Sequence, residues 1–229
     1  MERSEESRRW PRNSFLASLN PDHRAVLLSL GTGRHFDAGA PLVRSGELGT
    51  DVSLLLDGCV KVTADSRDGR PILLAVRVFG DLIGELAALD QEPRSATVIA
   101  AVATRTRVLD RKTFLDFVEA RPAVAKTLQR SIVRKLRMST RYRIDLSGAP
   151  VAVRVARILD QLASSYGRTD SGLVHIDVPL TQTEMAALVG AAVPSVQRAL
   201  AELRHDGLIS TSRKHFAIRD IEALRRLAR

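Results

Sequence analysis

Arg94 and Ser95 are the residues of this chain best suited to hold an anion. A guanidinium is a planar, permanently charged fork that matches two phosphate oxygens at once, and a neighbouring serine adds a hydroxyl and a backbone N–H. They close the stretch Gly-Asp-Leu-Ile-Gly-Glu-Leu-Ala-Ala-Leu-Asp-Gln-Glu-Pro-Arg-Ser-Ala-Thr, residues 80–97. Gly84 starts a short turn of helix in a strand-rich region, and the exposed backbone N–H groups of such a turn can face an anion. Glu85 is an acceptor suited to a ribose hydroxyl. Together these residues describe a pocket for a small anionic sugar phosphate. The competing reading is a pocket that takes no ligand, with Arg94 and Glu85 paired to each other.

A second constellation lies between residues 181 and 203. Thr181-Gln182-Thr183-Glu184 is a capping box, which opens a helix carrying Met185, Ala187, Leu188 and Val189 and ending at Gly190. Pro194 suits the start of the next helix, whose apolar positions are Val196, Ala199, Leu200 and Leu203. Small Ala186 permits two crossing helices to approach, Gly190 permits the left-handed turn between them, and Val196 fills the space beneath the second helix. This is helix-turn-helix spacing. The run Leu208–Ile218 behind it reads as a hairpin wing, which makes the motif a winged helix-turn-helix; the alternative is a structural helix pair. Ser195, Gln197, Arg198 and Glu202 fall on the exposed face of the second helix. Arg198 can pair bidentately with guanine in a major groove. Thr181 and Gln182 stand where a helix N-terminus can take a phosphate, and Arg213 and Lys214 in the wing can hold the backbone electrostatically.

The charge distribution agrees with an acidic partner for that half. Residues 1–120 hold 16 basic and 17 acidic side chains (net −1), residues 121–147 hold 8 against 1 (+7), and residues 148–229 hold 11 against 8 (+3), which together make the net +9 of the 229-residue chain. A solvated helix face is the other reading of the central charge run. Hydrophobic residues at 45% and charged residues at 27% are globular composition. No apolar run is long enough to span a membrane, and the first twelve residues, with four Arg and three Glu, do not read as a secretory signal. Cys59 is the single cysteine, so no internal disulfide and no four-cysteine zinc or iron–sulfur site can form. His23 and His35 are isolated and read as solvated or core residues rather than haem ligands. A cytoplasmic protein without a metal is expected. No paired carboxylates, nucleophile triad or metal cluster stands out, so the chain is not expected to be an enzyme.

These residues need elements to position them, and the pattern predicts an α+β chain. Residues 14–31 read as a helix with a break at Asn20-Pro21. From His35 to Leu109, short apolar runs between turn signals suggest a small antiparallel barrel or roll, with Val52–Leu56 and Cys59–Thr63 joined as a hairpin by Asp57-Gly58. Lys112–Glu119 reads as a short helix. A long one follows from about Ala123 to Leu146, with a 3,4-spaced seam of Ala125, Leu128, Ile132, Lys135, Ser139, Tyr142 and Leu146 that suits a partner helix from a second copy. Its alternative is packing on its own domain. Ser147-Gly148-Ala149-Pro150 marks a hinge. The expected division is a tail over 1–13, a β-roll domain over 14–121, a dimerisation helix over 122–147 and a winged helix-turn-helix domain over 148–229. In the last, Leu173–Leu180 reads as a strand.

The segment Gly84-Glu85-Leu86-Ala87 with Pro93-Arg94-Ser95-Ala96 resembles the phosphate-binding cassette of cyclic-nucleotide-binding domains. From about residue 14 to 219 the chain resembles the cyclic AMP receptor protein and fumarate–nitrate regulator (CRP/FNR) superfamily of bacterial transcription regulators, in the order β-roll, long dimerisation helix, hinge, winged helix-turn-helix. The resemblance implies that Gly84, Glu85, Leu86 and Ala87 line the ligand, that Glu85 binds the ribose 2′-hydroxyl, and that Arg94 and Ser95 bind the cyclic phosphate. It implies that Ser139 and Thr140, on the long helix, meet the base, one from each subunit, and that Arg198 is the recognition-helix arginine. The implied effector is cyclic AMP, the alternatives being an empty pocket, cyclic GMP or a cyclic dinucleotide. The implied partners are double-stranded DNA and a second copy of the chain, with RNA polymerase as a further candidate. Two departures stand out. Ala192-Val193-Pro194 occupies the place of the family's Ser-Arg-Glu, and the cysteine cluster of the oxygen-sensing branch is missing.

Overall fold

Most strands of the first half begin or end near a glycine or proline, and this punctuation helps fold the chain back on itself. The computed structural model describes residues 10–11, 13–65, 71–145, 148–176, 178–212 and 215–229. A 3-10 turn, Leu16–Ser18, precedes α1 (Pro21–Ser29), whose first turn is capped by the Asn20 side chain accepting from the His23 N–H at 2.7 Å. The expected break at Asn20-Pro21 is therefore a true helix start.

Eight strands follow: β1 (Thr32–Phe36), β2 (Pro41–Val43), β3 (Val52–Asp57), β4 (Cys59–Asp65), β5 (Pro71–Val78), β6 (Leu82–Ile83), β7 (Thr97–Ala100) and β8 (Thr104–Leu109). The short helix α2 (Glu85–Asp90) sits between β6 and β7. The strands form two antiparallel four-stranded sheets, in the orders β1-β8-β3-β6 and β2-β7-β4-β5. β4 and β5 pair antiparallel from Cys59↔Val78 to Asp65↔Pro71, with an irregularity between Val62 and Thr63.

The Asp57-Gly58 turn does not close a hairpin. β3 pairs with β6 and β8, while β4 pairs with β5 and β7, so this turn carries the chain from one sheet into the other. Gly58 takes φ +87°, and a Cβ there would lie 2.6 Å from Thr104 Oγ1 and 2.7 Å from the Ala103 carbonyl oxygen. Asp-Gly fixes where the backbone reverses, whereas burial on both faces of β3 (Val52, Ser53, Leu54, Leu55 and Leu56 are all buried) sets it between partners.

Two helices close this half, α3 (Arg111–Glu119) and α4 (Pro122–Asp145). The core gathers Phe15, Leu16, Leu27, Leu54, Leu109 and Phe114, and α4 adds Val124 and Leu128, with Ala125 and Ile132 packed against them. The first part of the predicted seam is thus occupied by the β-roll's own core. A 3,4 spacing marks an apolar stripe but not which body it meets. Val133 and Leu136, at 47% and 65% exposure, are the large apolar side chains that α4 leaves open among the described residues. Leu146 and Ser147 lie outside those residues.

The chain divides into two compact units between Arg134 and Lys135. After α4, the helix is broken through Gly148, Ala149 and Pro150, and α5 (Val151–Tyr166) begins. The second unit continues with β9 (Arg168–Asp170), β10 (Leu173–Ile176), α6 (Gln182–Val189), α7 (Val193–His205), β11 (Ile209–Ser212), β12 (His215–Ile218) and α8 (Ile221–Leu227). Its antiparallel sheet runs β11-β12-β10-β9. The strand expected over Leu173–Leu180 stops at Ile176, although Val178 and Leu180 remain buried. α5 packs on α6, α7 and α8 and buries Val155, Ala156, Leu159 and Leu162.

Candidate functional site

Arg94 is held in place from three directions. The loop 44–50 is stitched to it by backbone bonds, Arg94 N–H to Glu47 O at 3.0 Å and Gly46 N–H to Arg94 O at 2.8 Å. Its guanidinium is buried, with the residue 5% exposed. Nη1 donates to the Gly84 carbonyl at 3.1 Å, and Nη2 donates to the Asp51 carbonyl at 2.8 Å and to Asp51 Oδ1 at 2.7 Å. The Nε–H and one Nη1–H have no partner among the described residues. Gly84 makes this approach possible. It sits at φ +84° as the N-cap of α2, and a Cβ on it would drive into Arg94 Nη1 and stand 2.9 Å from the Asp51 carbonyl oxygen. On the other side, a Cβ on Gly49 would make only ordinary contact, 3.5 Å from Nη2.

Glu85, in the first turn of α2, is also 5% exposed, a carboxylate kept out of solvent beside the fork's anchor at Gly84. Ala87 is buried, Leu86 is exposed, and Ser95 presents its hydroxyl from an exposed position next to Arg94. The structure thus assembles Gly84, Glu85 and Arg94 in one place, with Ser95 at its edge. The carboxylate bonded to Arg94 is Asp51, a residue that sequence reasoning missed. It lies 43 positions upstream. The only local signal was an acid just past the Gly46–Gly49 turn, immediately before the buried strand Val52–Asp57. Ser139 and Thr140 stand exposed on α4, where the Thr140 hydroxyl donates to the Leu136 carbonyl at 3.1 Å.

The second site is built on α6 and α7. The capping box is present in full: Thr181 Oγ1 accepts from the Glu184 N–H at 3.2 Å, and the Thr181 N–H donates to Glu184 Oε2 at 2.8 Å. Gly190 takes φ +58° and ends α6, with the Ala191 N–H donating to the Ala186 carbonyl at 3.0 Å. Ala186 and Val196 are buried where the two helices cross, as the spacing requires. Pro194 occupies the first turn of α7, where its missing N–H removes no helical bond.

Gln197 and Arg198 are exposed on α7, and Ser195 is half-buried. Arg198 Nη2 lies 3.4 Å from Ser195 Oγ, a long contact that leaves the guanidinium free to reorient. Gln197 Nε2 donates to Gln182 Oε1 at 2.8 Å and ties the face of α7 to the start of α6. The wing strands β11 and β12 pair from Ile209↔Ile218 to Ser212↔His215; Arg213 and Lys214, between them, lie outside the described residues. Sequence reasoning also missed Arg154. From the first turn of α5, its Nη1 donates to the carbonyls of Val189 at 2.6 Å and Gly190 at 3.0 Å, capping the C-terminus of α6.

Comparisons with known proteins match the two regions that carry these residues. The family model of the cyclic nucleotide-binding domain matches residues 33–121, and that of the Crp-like helix-turn-helix domain matches residues 153–227. The chain is 34% identical over 218 residues to the CRP-like cAMP-activated global transcriptional regulator of Mycobacterium tuberculosis, covering 95% of this chain and 97% of that protein. It is similar to the solved structure of a CRP-family transcriptional regulator from Thermus thermophilus, with a TM-score of 0.68, 26% identity, and 85% and 96% of the two chains covered. FixK2 from Bradyrhizobium japonicum shares the fold at a TM-score of 0.75 and 20% identity, over 87% of this chain and 98% of that one.

Proposed function

Because the chain belongs to the CRP/FNR superfamily of ligand-responsive, DNA-binding transcription regulators, which are not enzymes, we propose that it acts as a homodimer whose effector is cyclic AMP. The buried Arg94 fork carries this reading. A guanidinium withdrawn from water, backed by carbonyls and with donors left over, is the feature that a small phosphate satisfies and that a merely structural arginine does not need. The donor set fits a cyclic nucleotide: Arg94 and Ser95 for the phosphate, the buried Glu85 for a ribose hydroxyl, Leu86 and Ala87 for apolar contact.

The relative in M. tuberculosis is described as activated by cAMP, which favours cyclic AMP over cyclic GMP or a cyclic dinucleotide. In this reading residues 14–121 form the ligand domain, 122–147 the dimerisation helix and 148–229 the DNA-binding domain. The open Val133–Leu136 face of α4 supplies the dimer seam. Ser139 and Thr140 then meet the base, and the signal passes through Gly148–Pro150. Arg198, with Ser195 and Gln197, reads bases; Thr181, Gln182, Arg213 and Lys214 hold phosphates.

The Arg94–Asp51 pair favours one second reading, a DNA-binding regulator whose pocket is filled by its own carboxylate. Calorimetry with cyclic AMP, cyclic GMP and a cyclic dinucleotide separates the two, alongside mobility shifts on a DNA library with and without each ligand. The effector reading expects cyclic AMP to bind and to raise specific DNA binding. Specific DNA binding with no heat from any nucleotide would establish the self-filled pocket.

A further inference from the structure

We propose that Gln182 and Gln197 work as a coupled pair in which Gln197 reads an adenine in the major groove and Gln182 is the residue that positions it. The observation is the 2.8 Å bond from Gln197 Nε2 to Gln182 Oε1, made between two exposed side chains 15 residues apart. A free glutamine on a helix surface samples many rotamers, and ordering it on a base has an entropic cost. Here the bond to Gln182 holds Gln197 in one orientation of its amide, which lowers that cost.

The position on α7 is right for a base contact. At about 100° per residue, Gln197 lies roughly 100° from the buried Val196 and the same angle again from Arg198. It therefore occupies the flank of the exposed face that borders α6, on the same open surface as Arg198. Val193 and Pro194, one turn earlier, carry no polar side-chain group, so Gln197 and Arg198, with the half-buried Ser195, supply the polar chemistry of this part of the helix.

The chemistry then selects the base. A glutamine amide has two N–H donors and a carbonyl acceptor. One N–H goes to Gln182. The carbonyl and the second N–H remain, and these are the acceptor and donor that adenine meets with its N6–H and N7. Gln182 uses only its carbonyl in the pair. Its own NH2 group, at the first residue of α6, has no partner among the described residues, and a DNA phosphate can accept from it there. Gln182 thereby links a backbone contact, which sets register, to a base contact, which sets sequence. Gln197 and Arg198 are consecutive residues, so the adenine should neighbour the guanine read by Arg198.

This inference rests on α7 being the DNA-reading helix. The test is sequence selection with the full-length protein, followed by affinity measurements on the selected site and on the same site with 7-deazaadenine at the proposed position. Gln197→Ala should reduce the preference for adenine at one position per half-site by roughly five- to 150-fold. Gln182→Ala should reduce it at the same position by a smaller factor and leave the guanine preference intact. Gln182→Glu retains an acceptor for Gln197 but repels phosphate, so it should keep the adenine preference while weakening all sites alike. 7-Deazaadenine, which lacks the N7 acceptor, should weaken wild type and leave Gln197→Ala unaffected. Sequence-specific binding by wild type with an adenine preference untouched by both alanine variants would overturn the pair alone. Absence of any sequence preference in wild type would overturn the reading of α7 together with it.

Discussion

The pocket and the DNA-reading face handle their key arginines in opposite ways. Arg94 is buried and bonded to two carbonyls and a carboxylate. Arg198 is exposed, with one long contact to Ser195. On the proposed function, the contrast follows from the partner. A small ligand offers few contacts, so its site must be desolvated and oriented beforehand. A DNA duplex brings a large charged surface and releases counterions on binding, so its reader can stay hydrated until the groove arrives.

The largest expected effect tests whether the two regions share one dependence. Leu136→Glu should place a charge at the dimer seam and cost several kcal/mol of association. Light scattering should then show monomers at micromolar concentration, with palindromic DNA binding lost and Arg94-dependent nucleotide binding still measurable by calorimetry. A wild-type chain already monomeric under these conditions removes the seam assignment.

Arg94→Ala comes next. A charge-assisted bond contributes about 1.5–3 kcal/mol, so cyclic nucleotide affinity should fall roughly tenfold to 150-fold. Unchanged binding would mean the phosphate lies elsewhere. On the other side of the comparison, Arg198→Ala should cost about 1–3 kcal/mol at one base pair per half-site and leave nucleotide affinity alone. An identical selected site from both proteins would show that the exposed arginine does not read a base.

The smallest effect concerns the partner that only the pocket's arginine has. Asp51 is 46% exposed, so its ion pair with Arg94 is screened. Asp51→Asn should tighten nucleotide binding by up to about fivefold, because the phosphate no longer competes with a carboxylate while the backbone carbonyls still hold the fork. Weaker binding would assign Asp51 to orienting Arg94 instead of opposing the ligand.

Contiguous chemistry was legible in the sequence, and chemistry made by tertiary approach was not. The cassette lies within residues 84–96, and the capping box within 181–184, so spacing alone exposes them. Asp51 and Arg94 meet only because loop 44–50 is stitched to the cassette, and Gln182 meets Gln197 only because α6 crosses α7. At Gly58 the local signal for a reversal was correct, while pairing across sheets was decided by the two-sided burial of β3. On α4, one stripe was read as a partner seam, yet Leu128 completes the core of its own roll and the open apolar surface lies at Val133 and Leu136.

Arg154 has a mechanical consequence. It sits in the first turn of α5, four residues past Pro150, and clamps the last carbonyls of α6. A charged donor on two carbonyls that would otherwise lack helical partners is a stiff joint. The start of α5 is therefore bonded directly to the end of α6, which in turn packs on α7. α5, α6 and α7 are thereby joined into one packed body that begins directly after the glycine–proline break at residues 148–150.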